Sequence, residues 1–140
     1  MNEKLKLENQ LCFPLYACAK EIVRRYTPLL EPFGLTYTQY IAMMVLWEHK
    51  TITVKDLGKK LFLDSGTLTP MLKKMERNGW LCRTRSQEDE RVVIVRITEC
   101  GELLHDRVCE VPIKMANCVK LENEETMQLY ALLNKMMKTF

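Results

Sequence analysis

The stretch Leu63-Asp64-Ser65-Gly66-Thr67-Leu68-Thr69-Pro70-Met71-Leu72-Lys73-Lys74-Met75-Glu76 decides the fold class. Asp64 or Ser65 supplies the side-chain oxygen that a helix start needs. Leu68, Met71, Leu72 and Met75 then recur at three- and four-residue intervals on one face. The other face carries Thr67, Thr69, Lys73, Lys74 and Arg77. Gly79 stands where a helix closes on a left-handed residue. The pattern predicts a helix from Gly66 to Asn78 with one buried face and a small, hydroxyl-rich start; Pro70 predicts some bending within it.

The flanks extend the pattern in both directions. Thr53-x-x-Asp56 marks a short helix ending near Leu61. Before it, Thr36 or Thr38 caps a helix from Gln39 to His49 that is apolar almost all round and therefore buried. After it, Leu81 to Thr84 and Val92 to Ile97 read as two strands, the second opening on the β-branched run Val92-Val93-Ile94-Val95. Between them Arg85 to Arg91 forms a polar hairpin tip. Thr98 caps a fifth helix to about Lys120. Glu122 or Asn123 opens a sixth that runs to the C-terminus with Met127, Tyr130, Leu133 and Met137 along one side. The first helix, roughly Glu8 to Glu31, carries the stripe Leu11, Leu15, Cys18, Ile22 and Tyr26 and is ended by Pro32 and Gly34. Pro14 is comfortable only in a first turn, so the regular helix starts near Cys12–Phe13 or kinks there. Either version sets Cys12 beside backbone N–H groups that lack intrahelical partners.

Helix, short helix, turn, helix and basic hairpin is the order of a winged helix-turn-helix. The fold class expected is mainly α (α+β winged helix). Residues 1–140 make one domain, with the winged helix-turn-helix lobe at 36–98 and dimerisation helices at 1–35 and 99–140. Composition agrees. The chain has 140 residues, 47% apolar and 28% charged, a soluble mixture with enough apolar surface for a core. The longest uncharged apolar stretch, Tyr40 to Trp47, is too short to span a bilayer, and Met1 to Lys6 lead into no signal peptide. A cytoplasmic protein with no membrane partner is expected.

The net charge of +3 is unevenly placed. Residues 51–98 hold ten basic and six acidic side chains, net +4, which leaves −1 for the rest. A positive middle third suits a polyanion such as double-stranded DNA. Ser65, Thr67 and Thr69 allow close approach to base edges and phosphates; Lys73, Lys74 and Arg77 neutralise backbone charge; Arg85 and Arg91 extend the hairpin toward DNA. One such module buries too little surface for strong specificity, so the apolar end helices are expected to pair with a second copy on a palindromic operator. Six cysteines, at 12, 18, 82, 100, 109 and 118, form no Cys-x-x-Cys pair, and His49 and His105 fall at no zinc spacing. No metal and no cofactor are expected. Most of the cysteines read as small buried hydrophobes.

The stretch 63–76, followed by Gly79, Asp89-Glu90-Arg91 and Ile97-Thr98, resembles the MarR family of transcriptional regulators. Asn9-Gln10-Leu11-Cys12-Phe13 together with Leu35-Thr36-Tyr37-Thr38-Gln39-Tyr40 is similar to its organic-hydroperoxide-sensing subgroup, over nearly the whole chain. The resemblance implies a homodimeric repressor, not an enzyme, that releases its operator when an N-terminal cysteine is oxidised. It assigns Cys12 as the sensing thiol, and Tyr26 and Tyr37 as phenols that reach the sulfur from the opposite subunit. Tyr16 and Phe13 become neighbouring pocket residues, Arg91 the wing arginine and Asp89 its acidic partner. The thiol that resolves the oxidised cysteine is either a small molecule or Cys118 of the other subunit; Cys18, Cys82, Cys100 and Cys109 read as packing. The chemistry stands without the family, because phenol O–H donors and helix N-terminal amides favour a thiolate, the form that attacks an O–O bond. The rival readings are a regulator released by a phenolic or amphipathic ligand, a thiol peroxidase, and a winged-helix module that does not touch DNA.

Overall fold

Local capping sets most of the helix boundaries. A computed structural model describes residues 2–140. Two short 3-10 turns, Glu3–Leu5 and Leu7–Asn9, precede α1 (Cys12–Leu30). The helix therefore begins at Cys12 rather than Glu8, which places Pro14 in its first turn, where a missing N–H costs nothing. Gly34, at φ +71°, ends the 3-10 turn that follows α1. Thr36 and Gln39 then cap each other's backbone N–H groups at the start of α2 (Tyr37–His49). Thr53 caps α3 (Val54–Leu61) and Asp64 caps α4 (Ser65–Arg77), the latter by accepting the Thr67 N–H at 2.8 Å. Pro70 lies inside α4 without ending it.

The sheet holds one strand more than the sequence predicts. β1 (Thr51–Thr53), β2 (Leu81–Arg85) and β3 (Val93–Ile97) pair antiparallel in the order β1-β3-β2. In register, Ile52 faces Val95, and Leu81 faces Ile97. β1 joins the end of α2 to the wing, so the hairpin is braced on both edges of β3.

Downstream the single long helix expected to Lys120 is two: α5 (Glu99–Val108) and α6 (Val111–Ala116). Pro112, second in α6, explains the break. It lacks the N–H that would have bonded the Val108 carbonyl, and its ring disfavours helix before it. α7 (Asn123–Met137) completes the chain.

The core gathers around α2. Leu30, Tyr40, Met43, Leu46, Leu57, Leu68, Leu72, Met75, Leu81 and Val95 are all buried, each aliphatic side chain contributing about 1.5–3 kcal/mol of burial. The inward face of α4 matches the expected stripe, with Met71 half-buried. The end helices behave differently. α7 buries none of its residues, and α1 buries only Leu30. Leu11, Met127 and Tyr130 are 74, 72 and 70% exposed. Cysteines depart from expectation too: none of the six is buried and none is in a disulfide, with Cys118 half-buried and the others exposed. The reason is placement, since Cys12 and Cys18 lie on the uncovered face of α1, Cys82 on the outer face of β2, and Cys100 and Cys109 at the two ends of α5.

Candidate functional site

Two regions carry the chemistry. The first is the outward side of α4 and the wing. Ser65 is the first residue of α4, and Thr67, Thr69, Lys73, Lys74 and Arg77 are exposed along the helix. Asp64 occupies the start of the helix by accepting the Thr67 N–H, so this face offers a polyanion its hydroxyls and its cations. At the wing tip, Arg91 is held by Asp89 through Nε to Oδ1 at 3.1 Å, Nη2 to Oδ2 at 3.2 Å and its own N–H to Oδ1 at 3.0 Å. These bonds hold the Asp89 carboxyl below the usual aspartate range, the side-chain bonds from Arg91 counting most. The guanidinium stays exposed. Arg85 donates to the Glu90 carbonyl at 2.8 Å and so closes the base of the tip. Arg83 pins the wing to α4 by donating from its backbone N–H (2.8 Å) and from Nη2 (3.1 Å) to Glu76. Those bonds lower the Glu76 carboxyl below its ordinary value.

Lys55, Lys59 and Phe62 join this surface although the sequence reading did not assign them. With Ser65 and Arg91 they line a cleft of about 1060 Å³ between the helix pair and the wing. The i, i+4 spacing of Lys55 and Lys59 on one face of α3 is the signal available in the sequence; nothing there singles out Phe62.

The second region is the thiol and its phenols. Cys12 is exposed at the first position of α1, whose N-cap residue Leu11 offers no side-chain acceptor. Tyr16, one turn on, is exposed, with the Lys20 ammonium 6.0 Å from its ring centroid. Tyr26 and Tyr37 meet in the same chain, ring centroids 4.8 Å apart, and Tyr26 lies 5.7 Å from buried Tyr40. Burial, and then the neighbouring Tyr37, raises the Tyr26 phenol above its ordinary value; burial, then Tyr26 and Tyr37, pushes Tyr40 up to about 12. Tyr26 and Tyr40 are therefore neutral O–H donors at physiological pH. Tyr26 follows Cys12 by fourteen residues along one continuous helix, roughly 21 Å of axial rise. A straight helix cannot fold its own tyrosine back onto its own first residue, so the sulfur and this phenol are apart within one chain. Cys118 lies beyond α6, half-buried, its thiol donating to the Lys114 carbonyl at 3.6 Å.

Comparison with known proteins gives a consistent picture. A model of the transcriptional regulator family SarA/Rot matches residues 24–108. An organic hydroperoxide resistance transcriptional regulator of Bacillus subtilis is 47% identical over 137 residues, 98% of this chain and 93% of that protein. The HTH-type transcriptional regulator SarZ of Staphylococcus epidermidis is 40% identical over 91% of this chain and 86% of its own. Among solved structures, reduced AbfR bound to DNA superimposes with a TM-score of 0.80 at 36% identity, covering 98% of this chain and 95% of that one. Disulfide-formed AbfR gives 0.70 at 35% identity, covering 98% and 93%.

Proposed function

Since the chain belongs to the MarR family of transcriptional regulators, in its organic-hydroperoxide-sensing branch, we propose that it is a cytoplasmic, homodimeric repressor that leaves its operator when Cys12 is oxidised. The observation that carries this reading is the fourteen-residue separation of Cys12 from Tyr26 along α1, with Tyr26 held against Tyr37 of α2, combined with the bare apolar faces of α1 and α7. A second copy covering those faces brings its phenols to the sulfur. Residues 1–35 and 99–140 then form the dimer, and 36–98 the reading head. Ser65, Thr67 and Thr69 face bases and phosphates, with Lys73, Lys74, Arg77, Arg85 and Arg91 on the backbone or in the minor groove.

The redox step balances without a further oxidant. The Cys12 thiolate attacks the outer oxygen of the hydroperoxide, the O–O bond breaks, and an alcohol leaves as the sulfur becomes a sulfenic acid. The partner's Cys118 thiol then attacks that sulfur, giving an intermolecular disulfide and water. Such a bond needs Cα atoms within ~7 Å. The two reading heads must in turn sit one DNA turn apart, so a link that draws the end helices together shifts the heads out of register.

In non-reducing electrophoresis after hydroperoxide treatment, a dimer-sized band is the expected result, and it is lost in Cys118→Ser. A wild-type protein that yields only monomer-sized species, with Cys12 carrying a small-molecule thiol when one is supplied, excludes the Cys118 route.

A further inference from the structure

The turn between α3 and α4 holds an aromatic residue where the backbone asks for glycine. Phe62 closes α3 in the left-handed region, at φ +55° and ψ +40°. Its N–H and that of Leu63 both donate to the Gly58 carbonyl, the Leu63 bond at 3.0 Å. Glycine or asparagine fills such a position readily, whereas a bulky side chain is strained there. Burial does not compensate, because the ring is 54% exposed. Lys50 is the other described non-glycine residue at positive φ, and its ammonium is anchored on Glu102 at 2.6 Å.

The surroundings indicate what the ring is for. Phe62, Val92 and the C-terminal Phe140 are apolar walls of the cleft whose rim carries Lys55, Lys59 and Arg91 and the start of α4 at Ser65. Asp64 is turned onto the α4 N-terminus and Asp89 holds Arg91, so Lys55 and Lys59, in no ion pair among the described residues, carry the free positive charge of the rim beside Asp56. A surface with apolar walls and a cationic rim complements the edge of a DNA major groove, where deoxyribose lies between phosphates and thymine methyl groups project from the base edges. A ligand that meets the start of α4 and the wing arginine together also passes over this ring. We propose that Phe62 is a direct apolar contact to double-stranded DNA, and that strain in the free protein is retained because the ring packs on sugar or methyl groups in the complex. The inference rests on the DNA-binding reading above and extends it to a residue of the turn.

The test uses a duplex that the full-length wild-type protein selects from a randomised pool. Phe62→Gly and Phe62→Asn keep the melting temperature within a few degrees of wild type, since both suit the left-handed turn. Both weaken affinity about tenfold and leave the slope of log affinity against log salt unchanged, because an apolar contact releases no counterion. Phe62→Tyr retains the affinity. Unchanged affinity in the glycine and asparagine variants overturns the proposal, as does a melting temperature that collapses in both, which would make the ring a packing element. Lys73→Ala, expected to reduce the salt slope by about one, reports on the DNA-binding reading independently of Phe62. A wild-type protein that enriches no duplex overturns both.

Discussion

Cys12→Ser binds operator DNA with unchanged affinity and no longer lets go when organic hydroperoxide is added. Two observations give that result its sharpness. Cys12 stands at the first position of α1, outside the elements that form the reading surface, so the substitution removes no DNA contact. Serine also preserves size and hydrogen bonding while removing the atom that attacks the O–O bond. Affinity measured by fluorescence anisotropy, before and after hydroperoxide, checks both halves. A variant that still releases DNA on oxidation shows that another cysteine, or no cysteine, triggers the response. That outcome is a real hazard for the account, because Cys18, Cys82, Cys100 and Cys109 are exposed as well.

Gly101→Ala is expected to destabilise the fold by roughly 3 kcal/mol and to lower the melting temperature by roughly 10 °C. Gly101 sits in the first turn of α5, where three elements meet. Its N–H donates to Thr98 Oγ1 at 3.1 Å, and its carbonyl accepts the Trp47 indole N–H from α2 at 2.9 Å. Thr98 in turn donates to the Gly79 carbonyl at the turn after α4. A methyl group on Gly101 would lie 2.2 Å from the Trp80 carbonyl oxygen and 2.8 Å from the Ile97 side chain. Backbone cannot swing aside as a flexible side chain can, so α5 has to move away from the wing. Thermal unfolding followed by circular dichroism is the check. A melting temperature within a degree or two of wild type would show that α5 is free to shift at this joint.

The helix-turn-helix was legible because its boundaries are written locally. Asp64, Thr53 and Thr98 are caps whose partners lie three residues away, and the α4 stripe repeats within the helix itself. What escaped depends on distant residues. Thr51-Ile52-Thr53 is too short to read as a strand, and only pairing with Ile94, Val95 and Arg96 makes it one. Pro112 was visible, but an apolar pattern continuing to Met115 masked the break it imposes. The exposure of the cysteines is not legible in the sequence, because cysteine is a small apolar residue by composition whereas its burial depends on which helix face finds a neighbour.

The site was legible in a different sense. The side chains assigned to α4 stand outward as expected, and the Asp89–Arg91 pair is formed. Cys12 falls at a helix start, the first of the two placements that Pro14 allows. Tyr26 and Tyr37 were known only as separate partners of the sulfur. Their contact with each other, and with Tyr40, comes from the packing of α1 on α2, which no local pattern encodes. Phe62 was missed for the same reason: its meaning lies in a backbone angle and in the wing it faces.

The central claim is that one thiol among six reads the oxidant, and peptide mass spectrometry tests it most directly. Reduced protein on its DNA is titrated with less than one equivalent of organic hydroperoxide, while DNA release is followed on the same samples. The account predicts that oxidation of Cys12 rises in step with release, joined only by Cys118 if a disulfide forms, while the other four thiols stay reduced. Release with Cys12 unmodified, or first oxidation at Cys18, Cys82, Cys100 or Cys109, would contradict it.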